Sequence, residues 1–206
     1  ALKKEIESDD GTCAVVPIDM SDRVSIREAV ASVEEQLGTI TTLVNNAGLP
    51  DAQWAVKQSD ELIDTVMGTN LTGPYILSCE VARKLMQEKL PGRMVNIASM
   101  AAFNTTAQSA APLYSITKKA LVRMTEALAV EWAGRNINVN AIAPGFFSSE
   151  MTDGMLERIG DITPTLNRKR IPTAEQMDST LLFLLSPSSE CVTGTCIKID
   201  DGQMSR

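Results

Sequence analysis

The strongest constraint on how this chain folds is an alternation of short apolar runs with longer stretches of helical period. Runs at 13–18, 42–44, 94–98, 136–142 and 195–199 are rich in Val, Ile and Leu and too short for helices. The first, bounded by Gly11 and Asp19, reads as a strand buried on both faces. Between the runs, 21–37 places Val24, Ile26, Ala29, Val30, Val33 and Leu37 on one side, with Ser21 opening a helix and Gly38 stopping it. Residues 60–66, 71–89, 114–133 and 175–185 read as further helices. Residues 1–8 read as helix closed by Asp9-Asp10-Gly11, and 146–170 as irregular or short-helical. Strands alternating with amphipathic helices fold as right-handed βαβ units. The expected architecture is a single α/β domain over residues 1–206: a three-layer parallel sheet with helices on both faces.

Composition removes several functions. The sequence has no histidine. Imidazole catalysis, Ser-His-Asp triads and His-ligated metals are excluded, and no metal site is expected. A net charge of −7 without a dense Lys/Arg block argues against a nucleic-acid partner. No apolar run of about 18 residues spans a membrane. Cys13, Cys79, Cys191 and Cys196 lack C-x-x-C spacing and are expected as reduced, packed thiols of a cytoplasmic protein.

In a parallel α/β sheet the ligand lies beyond the carboxyl ends of the strands. Asp19, Asn45 to Gly48, Ser99 and Pro144-Gly145 stand at those ends. Tyr114 and Lys118 open the helix after the Ser99 strand. Four residues apart, they share one helix face, roughly 6 Å between Cβ atoms. A cation held beside a tyrosine favours the phenolate, so the hydroxyl can exchange protons near neutral pH. Ser99 can donate to a carbonyl oxygen where negative charge grows. Tyr114 is the best general acid in the sequence; Tyr75, inside an apolar helix, is expected to be packed. Asn45 is expected to brace the sheet rather than touch a ligand. Asn70 could serve a site or bend its helix, and Asp19 could compete with Ser21 to cap the helix that follows.

Asn45-Asn46-Ala47-Gly48, Asn70, Ser99, Tyr114-x-x-x-Lys118 and Pro144-Gly145 together resemble, in order and separation, the classical short-chain dehydrogenase/reductases. The match runs from Ala1 to Gly202. Tyr-x-x-x-Lys alone is common by chance; the ordered set is not. The resemblance implies a Rossmann-like fold and an oxidoreductase acting on a carbonyl or secondary alcohol, the hydride coming from NAD or NADP. Tyr114 would give or take the proton at the substrate oxygen. Lys118 would bind the nicotinamide ribose and lower the tyrosine pKa. Ser99 would orient the carbonyl, and Asn70 would hold a water linking Lys118 to solvent. Asp19 and Met20 would bracket the adenine, with Asn46, Ala47 and Gly48 along the adenosine. Pro144, Gly145 and Phe147 would border the nicotinamide, and Ser149 would stand in for a threonine near the carboxamide or pyrophosphate.

The sequence departs from that pattern in places. No G-x-G-x-x-G or T-G-x-x-x-G-x-G precedes Asp19. The family's first strand, Gly-rich turn and helix are missing, and with them the residue that chooses between NAD and NADP. An N-terminal segment omitted from the sequence is the expected explanation. The loop 101–112 is expected to bulge over the substrate, and Asp200-Asp201-Gly202 replaces Asp-Gly-Gly after the last strand. Phe146, Phe147, Met151, Met155, Leu156 and Ile159 favour an oily substrate. By resemblance this is a 3-oxoacyl thioester, carrier- or coenzyme A-linked, with a polyol or sugar as the alternative. Arg168-Lys169-Arg170 could meet a carrier phosphate or be merely solvated. Apolar surface on 71–86 and 120–132 favours a homotetramer. A catalytically silent subunit lacking the phosphate loop is the competing class, and joint retention of Ser99, Tyr114 and Lys118 speaks against it.

Overall fold

The computed structural model describes residues 2–104 and 111–204. Four parallel strands form one sheet in the order β1 (Thr42–Asn45), β2 (Gly92–Ile97), β3 (Ile137–Pro144) and β4 (Cys196–Ile199). All pairings are parallel, which brings Asn45, Ile97, Pro144 and Ile199 to one edge of the sheet. The helices are α1 (Leu2–Ser8), α2 (Arg23–Leu37), α3 (Asp60–Met67), α4 (Gly73–Glu88), α5 (Pro112–Trp132), α6 (Glu150–Ile159) and α7 (Asp178–Leu185).

Side chains alternate across the pleat, so β2 serves two cores. Met94 packs with Val81 and Leu85 of α4, Leu121, Leu128 and Trp132 of α5, and Ile137 and Val139 of β3. Val95 points the other way, to Ile142 and to Leu184 of α7. The expected three layers are therefore present. Polar residues also cross the first core. Asn45 Nδ2 donates to Asn96 Oδ1 at 2.8 Å and Ser78 Oγ at 3.0 Å, and Asn96 Nδ2 donates to Thr125 Oγ1 at 2.9 Å. Asn45 thus braces β1 against β2 and α4, as its burial requires.

The structure corrects several sequence expectations. The run 13–18 is not a strand: no strand hydrogen-bonds to it among the described residues, and Val15 is 74% exposed. Apolar composition alone cannot make a strand without a ladder partner. Helix α2 starts at Arg23 and is capped by Asp22, whose carboxylate accepts from Val24 N–H at 2.8 Å, rather than by Ser21 or Asp19. The helix expected at 71–89 is α4, Gly73–Glu88, and a π turn, Gly68–Thr72, joins α3 to it. The 146–170 segment contains the two-and-a-half-turn α6, with Ser149 as its cap. Tyr75 is half exposed rather than packed, because it lies on the outer side of α4 beside Ala120 and Met124 of α5. All four cysteines are free, but Cys191 is exposed in the turn before β4. Of the loop expected to bulge at 101–112, residues 105–110 lie outside the described residues; 100–102 form a short 3₁₀ turn.

Candidate active site

The site begins where β2 ends. Ser99 leaves the strand in extended conformation and caps the turn Met100–Ala102, its Oγ accepting from Ala101 N–H at 3.1 Å. Ser115 Oγ donates to Ala101 O at 2.6 Å, which fastens that turn to the start of α5. Tyr114 and Lys118 lie on successive turns of α5, and the Ser99 side chain is near enough to the Tyr114 hydroxyl to favour its phenolate. Lys118 is 3% exposed; its ammonium donates to Ile97 O at 2.7 Å and stands 5.6 Å from the centre of the Tyr114 ring.

The electrostatics differ from the sequence expectation. Burial pushes Tyr114 above its ordinary 10.0, and the nearby Ser99 hydroxyl, which favours the phenolate, offsets this only in part. The expected lowering by Lys118 does not dominate. Burial instead brings Lys118 itself down to about 8. Tyr114 is therefore protonated at neutral pH, ready to donate to an oxygen, and Lys118 keeps most of its charge there.

Asn70 sits in the π turn, where the widened helix lets its amide reach backward. Its Oδ1 accepts from Leu49 N–H at 2.8 Å, and its Nδ2 donates to Leu49 O at 2.9 Å and Thr117 Oγ1 at 3.2 Å. Thr117 Oγ1 in turn donates to Tyr114 O at 2.9 Å. Asn70 thus ties the loop after β1 to the helix of Tyr114. Gly48, in that loop, is glycine for space: a Cβ there would stand 3.1 Å from Lys118 Nζ and 3.7 Å from Asn70 Oδ1. Asn46 and Ala47 are exposed beside it.

The other predicted residues form two flanks. Asp19 is exposed; its Oδ1 accepts from Ser21 N–H and Oγ–H, which lowers the carboxyl below the ordinary 3.8. The Met20 carbonyl rests on Gly73, where any Cβ would collide with it, so this flank adjoins the π turn of Asn70. On the other flank, Pro144 pairs with Ile199, and Gly145 N–H donates to Ile199 O at 2.8 Å. A Cβ on Gly145 would lie 2.8 Å from Asp200 Cβ, so this glycine serves the C-terminal turn first. Phe147 is buried, while Ser149 accepts from Thr152 N–H at 3.2 Å as the cap of α6. Ser99, Tyr114, Lys118, Asn70 and Gly48 come together; no hydrogen bond or ion pair among the described residues joins Asp19, Met20 or Ser149 to them.

Two residues escaped the sequence reading. Asp51 is buried and accepts from the Leu113 and Tyr114 amides. Its signal was indirect: α5 opens on Ala111-Pro112, which has no capping side chain of its own. Gln203 exchanges two hydrogen bonds with the Phe146 backbone, at 2.7 and 2.9 Å, and nothing in the sequence marked it.

Comparison with known proteins agrees with this geometry. The family model described as enoyl-(acyl carrier protein) reductase matches residues 1–204. The chain is 33% identical over 191 residues to 2-dehydro-3-deoxy-D-gluconate 5-dehydrogenase of Dickeya dadantii, covering 91% of this chain and 75% of that protein. It is also 33% identical over 204 residues to the 3-oxoacyl-acyl-carrier-protein reductase FabG of Thermotoga maritima, covering 98% and 81%. Among solved structures, a short-chain dehydrogenase/reductase from Mycobacterium marinum superposes with a TM-score of 0.93 at 26% identity, over 100% of this chain and 81% of that one. A variant of actinorhodin polyketide ketoreductase with NADPH gives 0.90 at 28% identity, over 97% and 81%. 4-Hydroxyisoleucine dehydrogenase with NADH gives 0.80 at 28%, over 92% and 80%. With its motifs in order, its parallel sheet and its Ser99–Tyr114–Lys118 cluster, the chain belongs to the short-chain dehydrogenase/reductase family of oxidoreductases.

Proposed function

We propose that the protein interconverts a carbonyl and a secondary alcohol with NAD or NADP, and that its substrate is a 3-oxoacyl thioester. The observation that carries the reaction class is the cluster itself: a buried lysine, a protonated tyrosine and a serine hydroxyl converging at the carboxyl end of β2. The residues present fit the nicotinamide end of such a nucleotide. Gly48 leaves open the approach to Lys118 Nζ, which has donors to spare beyond Ile97 O. The bound nucleotide supplies the hydride. Tyr114 donates the proton to the substrate oxygen, Ser99 hydrogen-bonds that oxygen as charge grows on it, and Lys118 holds ribose hydroxyls and favours the phenolate left behind. Asn70 keeps Thr117 and the Leu49 backbone fixed behind them. Asp19, Met20, Asn46 and Ala47 form the adenosine side; Pro144, Gly145, Phe147 and Ser149 form the nicotinamide side.

Support for the oily substrate comes from the segment after β3, where Phe147 and Leu166 are buried and Met155 and Leu156 half-buried. Arg168 and Arg170 do not support a carrier phosphate, because both are turned to Asp201. The sugar-acid reading keeps its own support in the Dickeya relative. The exposed Tyr75 and Val130 on the outer faces of α4 and α5 favour pairing of copies into a homotetramer, and four free thiols favour a cytoplasmic setting. No helix among the described residues is long and apolar enough to cross a membrane.

The test is twofold. NADH and NADPH are titrated against the fluorescence of the two tryptophans; one of them is expected to quench it. Nucleotide oxidation is then followed with acetoacetyl thioesters and with 2-keto-deoxy sugar acids. Turnover of the thioester, reduced about 10³-fold or more in Tyr114→Phe, is the expected result. Sugar-acid turnover without thioester turnover overturns the substrate, and silence to both nucleotides overturns the reaction.

A further inference from the structure

Helix α5 starts without a cap of its own. Ala111 stands at the capping position with no side-chain acceptor, and Pro112 follows as the first helical residue. The first amides in need of partners are those of Leu113 and Tyr114, and an uncapped helix leaves such donors to water. Here a carboxylate from a distant segment meets both. Asp51 Oδ2 accepts from Leu113 N–H at 3.0 Å and Oδ1 from Tyr114 N–H at 3.3 Å, across 62 and 63 residues of sequence. Gln58 Nε2 donates to Oδ2 at 2.6 Å and fixes the carboxylate from outside.

The setting of Asp51 is costly enough to need a reason. Its side chain is buried, at 2% exposure, and three donors with a helix N-terminus compensate its charge. The next residue, Ala52, has φ of 33°, a left-handed value that a residue with a Cβ adopts only under constraint. The bend there turns the chain so that Asp51 faces α5. The same short loop holds Gly48, which admits Lys118, and Leu49, which Asn70 grips on both backbone groups. One loop therefore touches all three parts of the cluster's support: the lysine, the asparagine and the turn bearing the tyrosine.

We propose that Asp51 is a positioning residue: it caps α5 from the loop after β1 and so fixes the turn that carries Tyr114 relative to Lys118 and Ser99. The proposal rests on the reading of Tyr114 as the proton donor, but its test needs neither nucleotide nor substrate. The chain has two tyrosines, so in a Tyr75→Phe background ultraviolet absorbance after a rapid pH jump titrates Tyr114 alone. In Asp51→Ser the side chain is too short to reach both amides. Exchange of the Leu113 and Tyr114 amides is then expected to quicken about tenfold or more. The Tyr114 midpoint is expected to fall toward 10.0, because a frayed turn lets water reach the phenol. Asp51→Asn keeps an acceptor for Leu113 N–H but loses the one for Tyr114 N–H, and is expected to fall between the parent and Asp51→Ser in both readouts. Amides of β2 and β3 serve as the control and are expected to exchange as in the parent. Unchanged exchange and titration in Asp51→Ser overturns the proposal. So does Asp51→Asn behaving like Asp51→Ser, or equal acceleration throughout the sheet, which marks a general loss of stability. Failure of the functional reading would instead show as absent nucleotide binding and turnover, with these readouts intact.

Discussion

The β2–β3 centre and the segment 11–22 contain similar residues and came to different ends. Both include runs of Val and Ile next to small and polar residues. In the centre each strand has neighbours on both sides, and Met94, Val95, Ile137, Val139 and Ile142 are sealed from water. In 11–22 no strand among the described residues pairs with the chain, Val15 and Ile18 face solvent, and the preceding α1 buries none of its residues. Strand formation is a property of a ladder and a covered face, and the run of side chains only permits it. The tie that holds 11–22 down is different in kind: the Met20 carbonyl on Gly73, and Ser21 close against Gly68. The chain there is positioned as a loop at the rim of the site.

Cutting side chains in both places separates the two regions. Leu85 is fully buried in the α4–β2–α5 core, and Leu85→Ala is expected to cost about 2–5 kcal/mol through lost transfer energy and a cavity. Val15→Ala is expected to stay within about 0.5 kcal/mol, since the side chain is already in water. Urea denaturation of the two variants reads the difference. Comparable losses would mean that 11–22 packs against something the isolated chain hides.

How far the sequence could be read follows the same division. Ser99, Tyr114 and Lys118 were legible because one strand and one helix, adjacent in sequence, carry them, and helical spacing alone puts the last two on one face. Pro144 and the extent of β3 were legible nearly as well, since their pattern is also local. What failed was whatever depends on a remote partner. The strand at 13–18 lacked its ladder. An apolar helix around Tyr75 suggests packing, but periodicity does not say which side of α4 is covered. Asp51 meets α5 across 62 residues, and no spacing rule links them. The Tyr114 pKa went the other way because burial depth, which outweighs the Ser99 hydroxyl there, cannot be counted along a sequence.

The centre has its own weak point in Lys118, and pH exposes it. Its pKa is about 8 when folded against an ordinary 10.5. The unfolded chain therefore binds more protons than the native one between these values, and Lys118 makes the protein more stable as pH rises through that window. The full span corresponds to about 3 kcal/mol of penalty for the buried charge at neutral pH. Lys118→Met removes the penalty but leaves Ile97 O without its donor, a loss of about 1–3 kcal/mol. Whatever the balance at pH 7, wild type is expected to gain on the variant from pH 8 to 10.5, read as the difference in urea midpoints. A pH-independent difference would place the ammonium in contact with water. The loop 11–22 has no comparable group: Asp19 is exposed, and its bonds from Ser21 are present at neutral pH and lost only in acid, when the carboxyl is protonated.

The smallest effect is expected where the comparison reaches the surface, at Asp201. This residue has φ of 51°, which glycine adopts freely and aspartate does not. In return its carboxylate takes Arg170 through Nε at 2.8 Å and Nη2 at 2.9 Å, and Arg168 through Nη1 at 2.9 Å. The Arg170 guanidinium holds the Asp201 carboxyl below its ordinary range. Asn167 Nδ2 also donates to Gly202 O at 2.6 Å, so the C-terminal turn grips the far end of the segment that Gln203 grips at Phe146. Asp201→Gly relieves the backbone while dropping exposed ion pairs, and global stability is expected to be indistinguishable from wild type. The local hold is another matter. Arg168-Lys169-Arg170 offers trypsin three adjacent sites, and cleavage there needs only local opening. Asp201→Gly is expected to speed that cut about threefold or more, and about 1 M salt should bring wild type toward the same rate by screening the pairs. Equal cutting at both salt concentrations and in both proteins would assign the hold to Asn167 and Gln203, whose bonds carry no net charge and do not answer to salt.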